Sequence, residues 1–266
     1  MKKFLLLVLV LALALSCVAL ADGSVEAITD KGVFILGLDD SFPPMGYRDE
    51  NNDIVGFDID TARAVCEVLG VELQLQPIAW ESKELELNAN NIDCIWNGLS
   101  INPARLEAMS MTFPYMSNAM ILYAKSETGI ADYADLAGKK VGVQSGSHAE
   151  SILTEGEAYA ETAESLDEVL SYDDYLVALM DLQAGNIDAV LADKVVAEFK
   201  LATIADNSIV AAIEFEDDLF GIGFRKGDVE LRDKVQEILK ELDQNGTLAE
   251  ISAKWFGSDI TLVKEQ

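Results

Sequence analysis

Short apolar runs that suit strands alternate with stretches of helical periodicity along nearly the whole chain, and this alternation restricts the fold more than any other feature. Val33–Leu38 reads as a strand and is followed by a turn-rich stretch, Asp39-Asp-Ser-Phe-Pro-Pro44. Ile59 to Leu69 has helical periodicity and stops at Gly70, a residue suited to a C-cap. Val71–Pro77 alternates as a strand, Glu84 to Ala89 reads as a short helix, Ile92–Trp96 as a buried strand and Pro103–Met109 as a helix. After Ala124 the series restarts. Strand Lys139–Val143 leads through Ser145-Gly-Ser147 into a helix near His148, and helix Tyr175–Gly185, strand Ala189–Leu191 and helix Val195–Leu201 follow. Such alternation implies α/β units with mainly parallel sheets. A length of 266 residues allows two such lobes. Ligands of open α/β sheets bind beyond the carboxyl ends of the strands, so two lobes facing each other would make a cleft.

Each half carries one strand–polar loop–helix feature, and the first is the more informative. Trp96-Asn-Gly-Leu-Ser-Ile-Asn-Pro-Ala-Arg105 follows the Ile92–Trp96 run and ends where a helix should begin, with Asn102 as N-cap and Pro103 at the first helical position. Small polar residues between them leave backbone N–H groups and the Ser100 hydroxyl open, and Arg105 adds a guanidinium one turn into the helix. That set suits a small carboxylate. An ordinary turn with a solvated arginine explains the same residues equally well. The second feature, Gln144 to Ala149, has no comparable cation.

Met1-Lys2-Lys3 followed by the apolar run Phe4–Leu15 reads as the start of an export signal occupying residues 1–21, too short and terminal for an ordinary membrane span. Ala19-Leu20-Ala21 before Asp22 fits ordinary signal cleavage, whereas Ala14-Leu15-Ser16-Cys17 is a loose match to a lipobox with lipid attachment at Cys17. Both readings place the mature protein outside the cytoplasm, as a cell-surface lipoprotein or in the periplasm. Loss of the two signal lysines takes the net charge from −28 to −30. So acidic a chain does not hold nucleic acid by phosphate neutralisation, and anionic lipid repels its body, leaving the membrane only a lipid anchor as a contact. Cys66 and Cys94 read as buried small residues, with a disulfide between them the minority alternative. One histidine, His148, and no clustered ligand spacing give no expectation of a metal or cofactor.

Seven segments together resemble the extracellular solute-binding proteins, family 3, of polar amino-acid ABC importers. They are Gly37-Leu-Asp-Asp-Ser-Phe-Pro-Pro44, Ile54-Val-Gly-Phe-Asp-Ile-Asp60, Gly98-Leu-Ser-Ile-Asn-Pro-Ala-Arg105, Phe113-Pro-Tyr115, Leu136-Ala-Gly-Lys-Lys-Val-Gly-Val-Gln144, Ile187-Asp-Ala-Val-Leu-Ala-Asp193, and the closing pair Asp243-Gln-Asn-Gly-Thr-Leu-Ala249 with Trp255-Phe-Gly257. The resemblance runs in order from about Gly32 to Gly257. It implies a periplasmic-binding-protein-like α/β fold of two lobes joined by a two-crossing hinge, lobe 1 being 30–117 plus 217–266 and lobe 2 118–216. It implies a monomer that captures a free L-amino acid by lobe closure and delivers it to a membrane permease, without catalysis.

The resemblance also assigns residues. Arg105 would hold the ligand carboxylate, with Ser100 and the backbone of Asn97 and Gly98. Ser147 and His148 would meet the carboxylate from lobe 2, and Asp193 would take the ammonium. Phe42 and Trp80 would flank the side chain, with Asp39 near its polar end. Independent chemistry agrees, because a desolvated zwitterion needs both charges matched. Asn97 stands where a small residue is usual, and His148 where threonine or serine is. The imidazole either lines the cleft or turns outwards, and a helix N-terminus disfavours its protonation. Polar uncharged ligands such as glutamine or cystine are expected first, basic ones second. The alternative is an enzyme on the same scaffold resembling the cyclohexadienyl dehydratases, with Asp39, Glu81 or Asp193 as general acid.

Overall fold

The computed structural model describes residues 22–203 and 207–266, so the expected export signal and Cys17 lie outside the described residues. Twelve strands carry the architecture: β1 (Val33–Leu38), β2 (Ser41–Phe42), β3 (Gly46–Arg48), β4 (Ile54–Val55), β5 (Glu72–Pro77), β6 (Cys94–Ser100), β7 (Met109–Met111), β8 (Met116–Lys125), β9 (Lys140–Gln144), β10 (Glu168–Tyr172), β11 (Ala189–Asp193) and β12 (Ile209–Arg225). Their main order is β10-β9-β11-β8-β12-β6-β1-β5, with β7 on β12, and β2-β3-β4 form a separate small sheet. At one end β1 pairs in parallel with β5 and β6; at the other β9 pairs in parallel with β10 and β11. The contacts in between are antiparallel, β11 with β8, β8 with β12 and β12 with β6. Two parallel α/β lobes are therefore joined by two long strands that belong to both.

Apolar alternation explains why these segments pair. β6 and β11 are buried at every residue, as expected of strands covered on both faces. Helices cover them. Phe57–Leu69 and Val229–Gln244 pack on the β1–β6 side through Ile59, Ala62, Val65, Val235 and Ile238, while Tyr175–Ala184 covers the β9–β11 side through Ala178, Leu179 and Leu182. Helix Ser24–Lys31, absent from the sequence expectations, is tied to the tail by the Leu231 N–H donating to the Ser24 hydroxyl at 3.0 Å. The strand β12 shifts register near Ala211–Ile213, Glu214–Glu216 and Gly221–Gly223, and such bulges let one strand pass from a β8 partner to a β6 partner.

Two local expectations change, and the reading of the cysteines does not. The strand read as ending at Trp96 continues to Ser100, because β12 lies beside it with Phe220 opposite Ser100 and Gly221 opposite Leu99. Polarity at Asn97 and Ser100 suggested a loop, but both side chains find buried partners and the ladder is kept. β10 went unread because its exposed and half-buried residues show no apolar run. Cys66 and Cys94 are free and buried, and burial pushes the Cys66 thiol up to about 12.

One buried acid fixes the end of β6. Asp58 accepts from the Gly98 N–H at 2.8 Å and from the Tyr115 hydroxyl at 3.0 Å. Gly98 sits at φ +59°, where a Cβ would lie 2.6 Å from a Phe42 ring carbon. Stranding two buried donors costs roughly 1–3 kcal/mol each. Asp58→Ala should therefore lower the Tm by several degrees in calorimetry, since each kcal/mol is worth roughly 2–4 °C at this size. An unchanged melting curve would show that Gly98 and Tyr115 do not depend on Asp58.

Candidate functional site

Strand register assembles the acidic half of the site. Asn118 on β8 is directly opposite Asp218 on β12, Met120 is opposite Asp193 of β11, and Ser100 of β6 is opposite Phe220. Residues two apart on a strand share a face, so Asp193, Asn118, Asp218 and Ser100 all project to one side of the hinge. The Asn118 amide donates to Asp193 at 2.8 Å and to Asp218 at 3.0 Å, the Ser100 hydroxyl donates to Asp218 at 2.9 Å, and the Tyr175 hydroxyl donates to Asp193 at 3.1 Å. Burial, followed by the neighbouring Asp218 charge, raises the Asp193 carboxyl to about 7. Burial also raises Asp218, against the lowering effect of Asn118 and Ser100.

The basic half comes from the loop after β6. Asn102 caps helix Pro103–Ala108 by accepting from the Arg105 N–H at 2.9 Å, which aims the arginine back along the strand. Its guanidinium, 6% exposed, donates to the carbonyl of Ser100 at 2.9 Å and to that of Gly146 at 3.3 Å. Among the described residues no carboxylate lies within 4.0 Å of it, although Glu84, Asp218 and Asp193 act on it from farther away. Burial is the main cause of its depressed pKa.

A third wall is built around Asp39 at the end of β1. Its N–H donates to the Asn97 side-chain oxygen at 3.0 Å, and its carboxylate accepts from the Ser41 N–H at 2.8 Å, the Ser41 hydroxyl at 2.7 Å and the Gln144 amide at 2.6 Å. Burial raises its pKa, and the hydrogen bonds from Ser41 and Gln144 oppose that rise. Phe42 lies with its ring centroid 6.2 Å from that of Tyr175.

Seven of the ten residues expected from sequence come together as one buried set: Asp39, Phe42, Asn97, Ser100, Arg105, Ser147 and Asp193. Gly98 is beside them, with its N–H committed to Asp58. Ser147 caps helix His148–Thr154 by accepting from the Glu150 N–H. Trp80 is buried mainly in a satellite core with Leu87, Ile92, Ile95 and Leu99. The His148 ring turns to the hinge, with Nε2 2.7 Å from Glu216 and Nδ1 3.4 Å from the Asn102 amide. A carboxylate must accept, so Nε2 donates to Glu216. Asp218, Asn118, Tyr175 and Gln144 escaped the sequence reading. Asp218 left no trace, because it sits mid-strand beside Glu214, Glu216 and Asp217 and its local pattern does not single it out.

Residues 34–258 match the family described as bacterial extracellular solute-binding proteins, family 3, and the chain belongs to that family. The L-cystine-binding protein TcyJ of Escherichia coli (strain K12) is 31% identical over 242 residues, covering 90% of this chain and 88% of the relative. A crystal structure of an ABC uptake transporter substrate-binding protein from Streptococcus pneumoniae with bound histidine is similar with a TM-score of 0.82 and 34% identity, covering 89% of this chain and 97% of that one. The ancestral amino-acid-binding protein AncCDT-1, described as a precursor of cyclohexadienyl dehydratase, is similar with a TM-score of 0.78 and 28% identity, covering 88% and 99%.

The Asp193–Asp218 pair makes a stability prediction. The Asp193 carboxyl titrates near 7 in the fold against an ordinary value of 3.8. Between those values the folded protein holds a proton that the unfolded chain has lost, so this group's contribution to stability falls as pH rises through the window. Asp193→Asn should raise the Tm of the ligand-free protein at pH 8 and flatten its decline from pH 5 to 8, about three units in which this group changes charge. A variant that melts below the parent at pH 8 in calorimetry would contradict the crowded-charge description.

Proposed function

We propose that this chain is the substrate-binding component of an amino-acid ABC importer, that it closes as a monomer over one free L-amino acid, and that it hands this ligand to the permease without catalysing a reaction. The carrying observation is the separation of charge: a buried guanidinium that, among the described residues, bonds only to carbonyls stands near two buried carboxylates joined by Asn118. A zwitterion completes both halves. Its carboxylate would face Arg105 with help from Ser100, Ser147 and the His148 backbone, and its ammonium would face Asp193 and the Gly98 carbonyl. Phe42 and the edge of Trp80 would bound the side chain, and the Asp39–Gln144 pair would meet its far end. Because both oxygens of Asp39 already receive Ser41 and Gln144, a polar uncharged end fits more economically than a full cation. Lobe 1 (30–117 plus 217–266) and lobe 2 (118–216) would open about β8 and β12. Export rests on the leader: release before Asp22 gives a periplasmic protein and lipid attachment at Cys17 a surface lipoprotein, and mass spectrometry of the native N-terminus distinguishes them.

A dehydratase reading would need an acid free to protonate a leaving group. Asp193 is instead held by Asn118 and Tyr175, Asp39 by Ser41 and Gln144, and Glu81 by Ser145 at the exposed rim. Incubation with a prephenate-like acid is therefore expected to give no product.

The binding reading is tested by thermal shift of mature, ligand-stripped protein against the twenty amino acids and cystine. A ligand at 100 times its Kd adds about 2.7 kcal/mol, which moves the Tm by several degrees. Arg105→Ala should weaken the best ligand by more than tenfold in isothermal titration, since charge-assisted bonds are worth roughly 1.5–3 kcal/mol and their loss leaves a buried partner unpaired. No shift with any of the ligands, or a smaller loss in Arg105→Ala, would count against the assignment.

A further inference from the structure

A lysine that sequence reading passed over is buried where the two lobes meet. Lys83 follows the turn Trp80–Ser82 and opens helix Lys83–Asn88, yet only 2% of it is exposed. Its ammonium donates to the Gly146 carbonyl across the cleft at 2.7 Å and to the Trp80 carbonyl of its own lobe at 3.2 Å. Glu84 stands 3.4 Å from it and the Trp80 ring centroid 5.2 Å. Arg105 donates to the same Gly146 carbonyl, so one peptide oxygen of lobe 2 receives two cations of lobe 1.

The rest of the contact is shaped to the same end. Gly146 sits at φ +69°, and a Cβ there would lie 2.7 Å from the Glu81 Cα and 3.2 Å from the Lys83 ammonium. Backbone meets backbone at this point. The Gly146 N–H donates to Glu150 at 2.8 Å, which fixes the orientation of the peptide plane that follows Ser145. On the exposed rim the Ser145 hydroxyl donates to Glu81 at 3.0 Å. Two positions of one lobe, 81 and 83, thus grip two of the other, 145 and 146.

We propose that Lys83, Glu81 and the Ser145–Gly146 loop form a closure latch, with Lys83 as a positioning residue that sets how long a captured ligand is held. The ammonium gains its lobe 2 acceptor only after the lobes meet and loses it when they part. Opening returns it to water, so the latch contributes a modest bias towards closure rather than a permanent lock. Burial and then the nearby Arg105 charge lower the Lys83 pKa to about 8, in keeping with an ammonium whose desolvation is only partly offset by its acceptors. Arg105 links the latch to the ligand, because the guanidinium proposed to hold the carboxylate also reaches Gly146. A contact formed after encounter changes dissociation, not association.

This inference rests on the lobe-closure reading above, and its test has two arms. Stopped-flow binding of the amino acid found by thermal shift is measured for the parent, Lys83→Met, which keeps the aliphatic stem, and Gly146→Ala, which blocks the approach of the backbones. The expected result is a dissociation rate raised about tenfold or more in both variants, with association within about twofold and the ranking of amino acids unchanged. Unchanged dissociation in both variants would overturn the latch. An altered ranking would overturn it too, by making Lys83 a ligand contact. In the second arm, spin-label distances between the lobes of ligand-free protein should show a smaller closed population in both variants than in the parent. If no amino acid binds the parent, the functional reading fails while this arm still decides the latch, and equal closed populations would refute it. Gly146→Ala keeps the test available should Lys83→Met not fold, and circular dichroism establishes folding for each.

Discussion

The arrangement of the cleft depends on one buried guanidinium that the protein does not neutralise with a carboxylate. Arg105 is satisfied by two carbonyls, while Asp193 and Asp218 share a single amide donor. Within a low-dielectric interior, placing opposite charges in contact would have been the stable solution for the protein alone. Burial raises both acids and lowers the arginine, and the charges across the cleft only partly oppose it. The strain of this separation is distributed over hydrogen bonds from Asn118, Ser100 and Tyr175, none of which carries charge. Under the proposed reading, a ligand with one cation and one anion at the spacing of an amino acid would relieve it, and affinity and closure would draw on the same electrostatic term.

The hinge is the device that permits such a site. The long strands β8 and β12 are the antiparallel pair between two parallel lobes, and they place Asn118 opposite Asp218 where the lobes join. Asp218 and Asn118 are thus anchored on the crossing itself and Asp193 ends the neighbouring β11, whereas Arg105 and Asp39 belong to one lobe and Gln144, Ser147 and Tyr175 to the other. Bonds from Gln144 to Asp39 and from Lys83 and Arg105 to Gly146 hold the lobes together in the arrangement described.

The parallel units, the helix start at Asn102–Pro103 and the position of Asp193 at the end of β11 were all legible in the sequence, because each depends on periodicity or capping over a few residues. Arg105 and Ser100 were legible as an anion-friendly motif. Asn118, Asp218 and Tyr175 were not, since only antiparallel register and a packed helix bring residues so distant in the chain into one cluster. Asn97 illustrates the opposite error: its polarity read as a loop, whereas its oxygen holds the Asp39 N–H within a continuing strand. Lys83 was invisible for the same reason as Asp218, because the carbonyl that accepts from it lies across the cleft.

The separated charges are tested most directly by titrating the protein calorimetrically with its best amino acid, with the corresponding α-amide and with the analogue lacking the α-amino group. Loss of either ligand charge should weaken binding by about a hundredfold or more, roughly 2.7 kcal/mol. If either analogue bound within about threefold of the parent amino acid, Arg105 or the Asp193–Asp218 pair would not be reading a zwitterion, and this account of the cleft would be wrong.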